Sequence, residues 1–321
     1  MKRRDFLTIG AAAMAWGAAL AQPGRPARIG VLAMNPRPAT PQMEAFTDAL
    51  RDYGYIEGKN IHIEYRSGDG RTESLRAAAA ELAGKVDLIV AFGTPTSLAA
   101  KAATSTIPIV MAAAGDPVGT GLVQSLARPG ANITGTSNLS PPLVVKRLEL
   151  LKESHPPLRR AALLMNPGNP AQAATVRAVE QAAAVLKVEL KPYGVTSLDD
   201  IRTAFVRMHE ERMEGVVIAN DSVLITNAAA IAFLANKHRL RSAGSGDFAQ
   251  VGGLIGYGSI GEPLRHAAAY VDKILKGAKP GELPIEQPSK YEVLLNLRTA
   301  KLAGFDIPQS FRLLRVDRVV E

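Results

Sequence analysis

The strongest constraint on the fold of this chain is an internal repeat, in which three short segments recur in the same order about 130 residues further on. The matched pairs are GVLAMNP at 30–36 with AALLMNP at 161–167, VDLIVAFGTP at 86–95 with MEGVVIANDS at 213–222, and AGDP at 114–117 with SGDF at 245–248. Three matches in one order at a nearly constant offset predict two similar lobes. A cluster of Gly, Ser, Asn and Pro between Gly135 and Pro142 is typical of a boundary between such lobes.

Each predicted lobe alternates short apolar runs with amphipathic segments, the pattern of a parallel sheet covered by helices. The predicted strands are 29–34, 61–65, 88–92, 107–112, 161–165, 188–192, 215–219 and 253–257. Apolar residues at helical spacing lie between them, for example Ile201, Phe205 and Met208 after the capping pair Ser197 and Asp200. The fold class is therefore expected to be α/β, with two doubly wound parallel-sheet lobes.

The N-terminus has the form of an export signal. Residues 2–4 are basic, 6–20 carry no charge and 19–21 match a signal-peptidase site, so residues 1–21 are predicted to be a signal peptide cleaved after Ala21. The uncharged run is shorter than the roughly 20 residues of a membrane-spanning helix. Arg3-Arg4-Asp5-Phe6-Leu7 resembles a twin-arginine signal, with an ordinary secretory signal as the alternative. The chain has no cysteine to carry a lipid, so a free periplasmic protein is expected.

The chain is basic, with a formal net charge of +8, but this charge is dispersed along the sequence. The densest basic groups, at 159–160 and 237–241, are short and contain no interleaved aromatic residues. Nucleic-acid-binding proteins concentrate basic residues on one face. No nucleic-acid partner is therefore expected, and export would separate the protein from one.

Short polar residues follow the predicted strands, at the sheet edge where α/β proteins bind ligands. After the strand at 88–92, Thr94, Thr96 and Ser97 open a predicted helix. Free amides at a helix start, joined by three hydroxyls, form a cradle for an anion such as a carboxylate. Helix capping, which also favours Ser and Thr, is the alternative interpretation.

Carboxylates occupy comparable places in both halves: Asp116 in the first, and Asp221, beside Asn220, and Asp247 in the second. Each is a candidate partner for an ammonium group or for sugar hydroxyls, although an Asp that bonds its own turn is the alternative. The other polar candidates are four asparagines and one tyrosine that lie in predicted turns or at a strand end: Asn35, Asn138, Asn166, Asn169 and Tyr257. A hydroxyl cradle together with acids in one cleft favours a zwitterionic ligand, such as an amino acid or a close relative of one.

A long central motif carries a family resemblance. It consists of Gly115-Asp116-Pro117-Val118, Gly121-Leu122-Val123 and SLARPGANITG at 125–135, and RDYGY at 51–55, GKN at 58–60 and DRVV at 317–320 extend the pattern along the mature chain. The motif resembles the signature of ABC-transporter substrate-binding proteins related to the tryptophan and tyrosine binders of Gram-positive bacteria. The absence of a lipidated cysteine is a departure from the lipoprotein members.

The resemblance implies a type I periplasmic-binding fold with a hinge of several crossing segments. The first lobe is then expected at 28–137 plus about 255–285, and the second at 138–254 plus about 286–321. The resemblance also implies that Thr94, Thr96 and Ser97 hold the solute's carboxylate and that Asp116 and Asn220-Asp221 lie in the cleft. The implied partners are a small solute and an ABC permease of the inner membrane, for a monomer without catalytic activity.

One motif argues for an enzyme instead. GYGSIG at 256–261 is a literal GxGxxG that follows a predicted strand and opens a helix. About 20 residues later, where a dinucleotide site needs a ribose-binding acid at the end of a second strand, the chain has the turn KPGE at 279–282. The sequence contains no GxSxG, GxxxxGK(S/T) or HExxH motif, and its histidines never fall at paired ligand spacing, so no cofactor and no metal are expected. A periplasmic enzyme of unknown reaction remains the alternative, distinguished from a binder by turnover.

Overall fold

The computed structural model describes residues 25–36, 41–138, 140–259 and 262–321. The predicted signal peptide at 1–21 lies outside the described residues, and so do Ile260 and Gly261 at the end of the GYGSIG motif. Within the described ranges, no helix is long and apolar enough to cross a membrane.

The first lobe is built on a five-stranded sheet in which all strands are parallel, in the order β2-β1-β3-β4-β5. Its strands are β1 (Ala27–Ala33), β2 (Ile61–Ser67), β3 (Leu88–Phe92), β4 (Ile109–Ala114) and β5 (Ile133–Ser137). The connecting helices are α1 (Pro41–Asp52), α2 (Thr72–Ala83) and α3 (Thr94–Ala103). This order, which reverses direction around β1, is the doubly wound arrangement expected from the sequence.

The rest of the chain contributes all seven strands of a second sheet. In chain order its elements begin with α4 (Ser140–Ser154), β6 (Arg160–Met165), α5 (Gln172–Val185), β7 (Glu189–Gly194), α6 (Leu198–Glu210), β8 (Gly215–Ile218), α7 (Ser222–Thr226), α8 (Ala228–Lys237), β9 (Arg241–Gly244) and β10 (Ile255–Gly258). They end with α9 (Glu262–Leu275), β11 (Glu292–Asn296), α10 (Leu297–Ala303), α11 (Gln309–Leu314) and β12 (Arg318–Val320). The strand order is β12-β11-β10-β9-β8-β6-β7, parallel except for the antiparallel β10–β11 pair.

The local sequence explains how individual elements form. In α6, the Ser197 hydroxyl accepts a hydrogen bond from the Asp200 backbone N–H at 3.1 Å, which satisfies one unpaired donor of the first turn. Ile201 and Phe205 on the same face are fully buried. Removing a large apolar side chain of this kind from water stabilises the fold by about 1.5–3 kcal/mol.

Apolar cores lie on both faces of the first sheet. One contains Phe46 of α1 and Val271 of α9, and the other contains Leu75 of α2 and Ala100 of α3. The second of these cores also includes Val223 from α7 of the opposite lobe, which is 4% exposed. The two lobes therefore pack directly against each other.

The chain crosses between the sheets at three places in its described part: after β5, after β10 and before β11. At the first and third crossings the segments are bonded together, because Ser137 N–H donates to the Glu286 carbonyl at 2.9 Å and Glu286 N–H to the Gly135 carbonyl at 3.1 Å. Helix α9 then packs on α1 and the first sheet.

One expected boundary is corrected by these crossings. The segment from about residue 255 was assigned to the first lobe, but Ile255 pairs with Ala243 and Leu295 inside the second sheet. The crossing follows Gly258, and only the helix after it returns to the first lobe. The apolar run at 253–257 correctly predicted a strand, but it did not show to which sheet that strand belongs.

Candidate functional site

A cavity of about 170 Å³ lies between the two lobes. Its wall is formed by residues that follow β1, β3 and β4 in the first lobe and β8, β9 and β10 in the second, the sheet edge at which α/β proteins bind ligands. On the same measure one water needs roughly 10–15 Å³. The cavity therefore has room for a small organic molecule.

Asp221 is the buried carboxylate of this cavity. It lies three residues after the end of β8, is 4% exposed, and lines the cavity beside Asn169 and Asn220. Its carboxylate accepts hydrogen bonds from Asn166 Nδ2 at 3.1 Å, Asn169 Nδ2 at 2.9 Å and the Val223 N–H at 2.9 Å. Burial nevertheless raises the pKa of this carboxyl above its ordinary value, against the hydrogen bonds that lower it. A cationic group in the cavity would favour the charged form.

Arg147 of α4 is a buried cation on the same wall, and it is not among the residues predicted from the sequence. It is 1% exposed, and its guanidinium donates to the Ile218 carbonyl at 2.8 Å and to the Tyr257 carbonyl at 3.0 and 3.2 Å. It thereby joins the ends of β8 and β10. Burial lowers its pKa to about 10, opposed by Coulombic interactions with Asp247 and Tyr257, so it stays protonated at neutral pH.

The predicted hydroxyl cradle has a different role in the structure. Thr96 Oγ1 and Ser97 Oγ both donate to the Gly93 carbonyl, at 3.0 and 2.7 Å, and neither side chain lines the cavity. Thr94 lines the cavity, but its hydroxyl accepts the Gly115 N–H at 2.9 Å. The hydroxyls of Thr96 and Ser97 bond back to the carbonyl of Gly93, the residue before α3, and among the described residues neither accepts a backbone N–H as a helix cap would. They hold the start of α3 without capping it.

Two other predicted contacts lie off the cavity wall. Asp116 accepts the Gly119 N–H at 2.9 Å and closes its own turn after β4. Tyr257 packs its ring against Tyr291, with 6.1 Å between the ring centroids, while Gly258 lines the cavity. Successive side chains of a strand project to opposite faces, so the tyrosine ring lies on the face of β10 away from the cavity.

The remaining candidates are brought together by the fold. Asp247, whose Oδ1 accepts the Ser245 hydroxyl at 2.8 Å, lines the cavity, as do Asn35, Asn138, Asn169 and Asn220. Asn166 lies behind Asp221 and holds it through the hydrogen bond given above. The repeat therefore located the correct sheet edges, even where a particular side chain points elsewhere.

A large share of the cavity wall is apolar, and both lobes contribute to it. Phe92 contacts Phe46 edge-on, with ring centroids 5.7 Å apart and planes at 88°. The aliphatic and thioether side chains on this wall are Met34, Met43, Leu143, Ile225 and Leu264. Such a wall accommodates the apolar part of a ligand whose charged groups face Asp221 and Arg147.

The lobes touch at the mouth of the cavity. Asn35 Nδ2 of the first lobe donates to Thr226 Oγ1 of the second at 3.0 Å. Gly93, at φ +89°, approaches so closely that a Cβ there would lie 2.9 Å from Ser222 Oγ. The described conformation is thus closed around the cavity.

Comparisons with known proteins agree with this architecture. A family model described as ABC transporter substrate binding protein matches residues 28–316. A tyrosine-binding protein of Clostridioides difficile (strain R20291) is 27% identical over 266 residues, which cover 80% of this chain and 75% of that protein.

Two solved structures have the same fold. A conserved domain protein from Vibrio cholerae matches with a TM-score of 0.82 and 27% identity, over 92% of this chain and 100% of that one. A domain from Streptococcus pneumoniae in complex with L-Trp also has a TM-score of 0.82, with 23% identity over 92% of this chain and 100% of that one. The fold class expected from the sequence, two parallel-sheet lobes of the type I periplasmic-binding kind, is confirmed.

Proposed function

This chain belongs to the ABC transporter substrate-binding proteins, and we propose that it captures an L-amino acid with a large apolar side chain and delivers it to a permease of the inner membrane. Solute binding as a component of an ABC transporter is the role of the family. The observation that carries the choice of solute is the cavity between the lobes, which combines a buried carboxylate, a buried guanidinium and an apolar wall.

Asp221 is the proposed partner of the solute's ammonium group. Its carboxylate is held in place by two asparagine amides and a backbone N–H, so little further ordering is needed when a ligand arrives. Oδ1 already accepts the Asn166 amide and the Val223 N–H, whereas Oδ2 accepts the Asn169 amide. Since a carboxylate has about four lone-pair sites, Oδ2 is the oxygen that retains acceptor capacity for an ammonium group. A buried carboxylate without a cation is costly, and an ammonium group offsets that cost.

The apolar wall supports a large, aromatic side chain in the solute. Phe92 presents a ring at the cavity, and Met34 and Met43 are flexible side chains that adapt to an aromatic outline. The relative from Clostridioides difficile is named for tyrosine, and the Streptococcus pneumoniae structure contains L-Trp. Tyrosine and tryptophan are therefore the first solutes to test.

The family typically acts outside the cytoplasm. For this chain we propose the periplasm, reached with a twin-arginine signal that is cleaved after Ala21. The proposed mature protein is a monomer that binds no nucleic acid and returns its solute chemically unchanged.

A thermal-shift screen of residues 22–321, stripped of bound solute by unfolding and refolding, tests the proposal. A ligand at about 1,000 times its dissociation constant adds about 4 kcal/mol, which raises Tm by several degrees. We expect shifts with aromatic L-amino acids and none with sugars or organic acids. The only tryptophan of the full chain, Trp16, lies in the predicted signal, so the fluorescence of bound L-tryptophan gives an independent titration. Shifts confined to sugars, or turnover of the solute, would contradict the proposal.

The affinity for an amino acid is expected to depend on pH through Asp221. Burial raises the pKa of this carboxyl above its ordinary 3.8, and a bound ammonium group lowers it again. Affinity should thus be constant above the pKa that the Asp221 carboxyl has in the ligand-free protein. It should fall as the pH drops through that raised pKa, by up to about tenfold per pH unit. Isothermal titration at a series of pH values between about 3.5, near the ordinary pKa of an aspartate, and about 8 measures the midpoint of this loss of affinity. A midpoint at or below the ordinary value would contradict the assignment.

A further inference from the structure

We infer that the carboxylate of the captured amino acid binds to Arg147 and Ser140 of α4 in the second lobe, rather than to the hydroxyls that open α3. This subsite rests on the proposed function, because it presumes a solute that carries a carboxylate. It makes α4 the element that selects for the acid group.

Arg147 has donors left for a ligand. A guanidinium has five N–H groups, and among the described residues three of these are used, two on the Tyr257 carbonyl and one on the Ile218 carbonyl. The side chain is 1% exposed and lines the cavity. A buried guanidinium with two remaining N–H groups is suited to a carboxylate, which it binds through short charge-assisted hydrogen bonds.

Ser140 supplies the second, independent observation. It is 1% exposed, lines the cavity, and its Oγ has no hydrogen-bond partner in the part of the chain that the structure describes. Buried polar side chains are nearly always paired, so an orphaned hydroxyl on a cavity wall indicates a partner that arrives with the ligand. A serine hydroxyl can donate to a carboxylate oxygen.

The helix places these two groups together. Ser140 and Arg147 are seven residues apart in α4, about two turns, and so lie on one face. Side chains in a helix tilt towards its N-terminus, which carries the long arginine side chain back towards Ser140. Pro141 and Pro142 follow directly and have no N–H to offer. The donors at this end of α4 are therefore side chains.

The hydroxyls at the start of α3 in the first lobe are weaker candidates for binding the carboxylate. The hydroxyl protons of Thr96 and Ser97 are already donated to the Gly93 carbonyl, and neither side chain reaches the cavity wall. Thr94 does line the cavity, but its hydroxyl is held by the Gly115 N–H and no cation lies beside it in α3. Asp247 lines the cavity and its charge favours the cationic form of Arg147, so the guanidinium remains positively charged for a carboxylate.

The test compares L-tyrosine and L-tryptophan with tyramine and tryptamine, which lack the carboxylate, by isothermal titration of the full mature protein. In Ser140→Ala we expect the affinity for the amino acids to fall about ten- to hundredfold, the loss of one hydrogen bond to a charged group. The affinity for the amines should change by less than about twofold. Ser154→Ala is the matched control, because Ser154 is an equally buried serine of α4 whose hydroxyl donates to the Leu151 carbonyl at 2.8 Å.

Arg147→Lys gives a second measurement, since it keeps the positive charge but not the paired N–H groups. We expect it to weaken binding of the amino acids more than binding of the amines. If Ser140→Ala binds the amino acids as tightly as the wild type, or if Thr94→Ala shows the acid-specific loss instead, the subsite is overturned while amino-acid binding stands. A wild-type protein that binds none of the four compounds would overturn the proposed function itself.

Discussion

Replacing Asp221 with alanine is expected to abolish amino-acid binding. The carboxylate is the buried acid of the cavity at 4% exposure, and removing one member of a desolvated, hydrogen-bonded charge pair costs about 2–5 kcal/mol of binding free energy. That corresponds to a loss of about 30- to 4,000-fold in affinity. Isothermal titration with L-tyrosine and L-tryptophan measures the loss directly.

The same substitution also affects the free energy of unfolding. It leaves the Asn166 and Asn169 amides and the Val223 N–H without their acceptor, at about 1–3 kcal/mol for each group that finds no water. It also removes a buried charge, which offsets part of that cost. Circular dichroism and Tm therefore have to accompany the titration, so that loss of binding is not confused with loss of fold.

Asp116→Ala is the control that distinguishes a carboxylate on the cavity wall from one that closes a turn. Asp116 was an equally good candidate from the sequence, but its carboxylate bonds the Gly119 N–H and lies off the cavity wall. We expect the affinity of the Asp116→Ala variant for L-tyrosine and L-tryptophan to stay within about threefold of the wild-type affinity, because the substitution removes no ligand contact. If Asp116→Ala loses binding and Asp221→Ala retains it, the assignment of the ammonium site is wrong.

The architecture could be predicted because apolar runs and an internal repeat are visible in a single sequence. Apolar runs such as LIVAF at 88–92 gave strand β3 at its observed bounds, and the repeat placed the equivalent strand of the second lobe. Strand β5, with the sequence ITGTS, was not predicted, because small polar residues there have the composition of a loop. All five of its residues are nevertheless buried.

The site was harder to predict, because local sequence does not show where a side chain points. Asp116 and Asp221 both follow a strand, and only the fold determines that one closes its turn while the other lines the cavity. Arg147 lies mid-helix in an amphipathic stretch, where an arginine is usually solvated. The signal that was available is the phase of α4: Val144, Arg147 and Leu151 lie on its buried face.

Replacing Gly135 with alanine is expected to produce a large loss of stability. Gly135 has φ +130°, and a Cβ on it would lie 2.1 Å from the Met111 carbonyl oxygen and 2.6 Å from the Met111 nitrogen. Both are backbone atoms of the paired strand β4, next to the register shift between Met111 and Ala114. No rotamer change relieves the overlap, so the strands must separate. We expect about 4 kcal/mol or more of destabilisation and a fall in Tm of about 10 °C.

Gly58→Ala distinguishes this steric argument from the general cost of a positive φ. Gly58 has φ +82°, yet its Cβ would meet nothing within 4 Å, so only the left-handed backbone penalty of about 1–2 kcal/mol applies. Because the Gly135 carbonyl also accepts the Glu286 N–H at 3.1 Å, separation of β4 from β5 loosens the bonded hinge segments as well. Gly135→Ala should therefore weaken ligand binding beyond its effect on Tm, whereas Gly58→Ala should leave affinity unchanged. Equal Tm losses in the two variants would show that close approach of β4 and β5 is not what requires a glycine at 135.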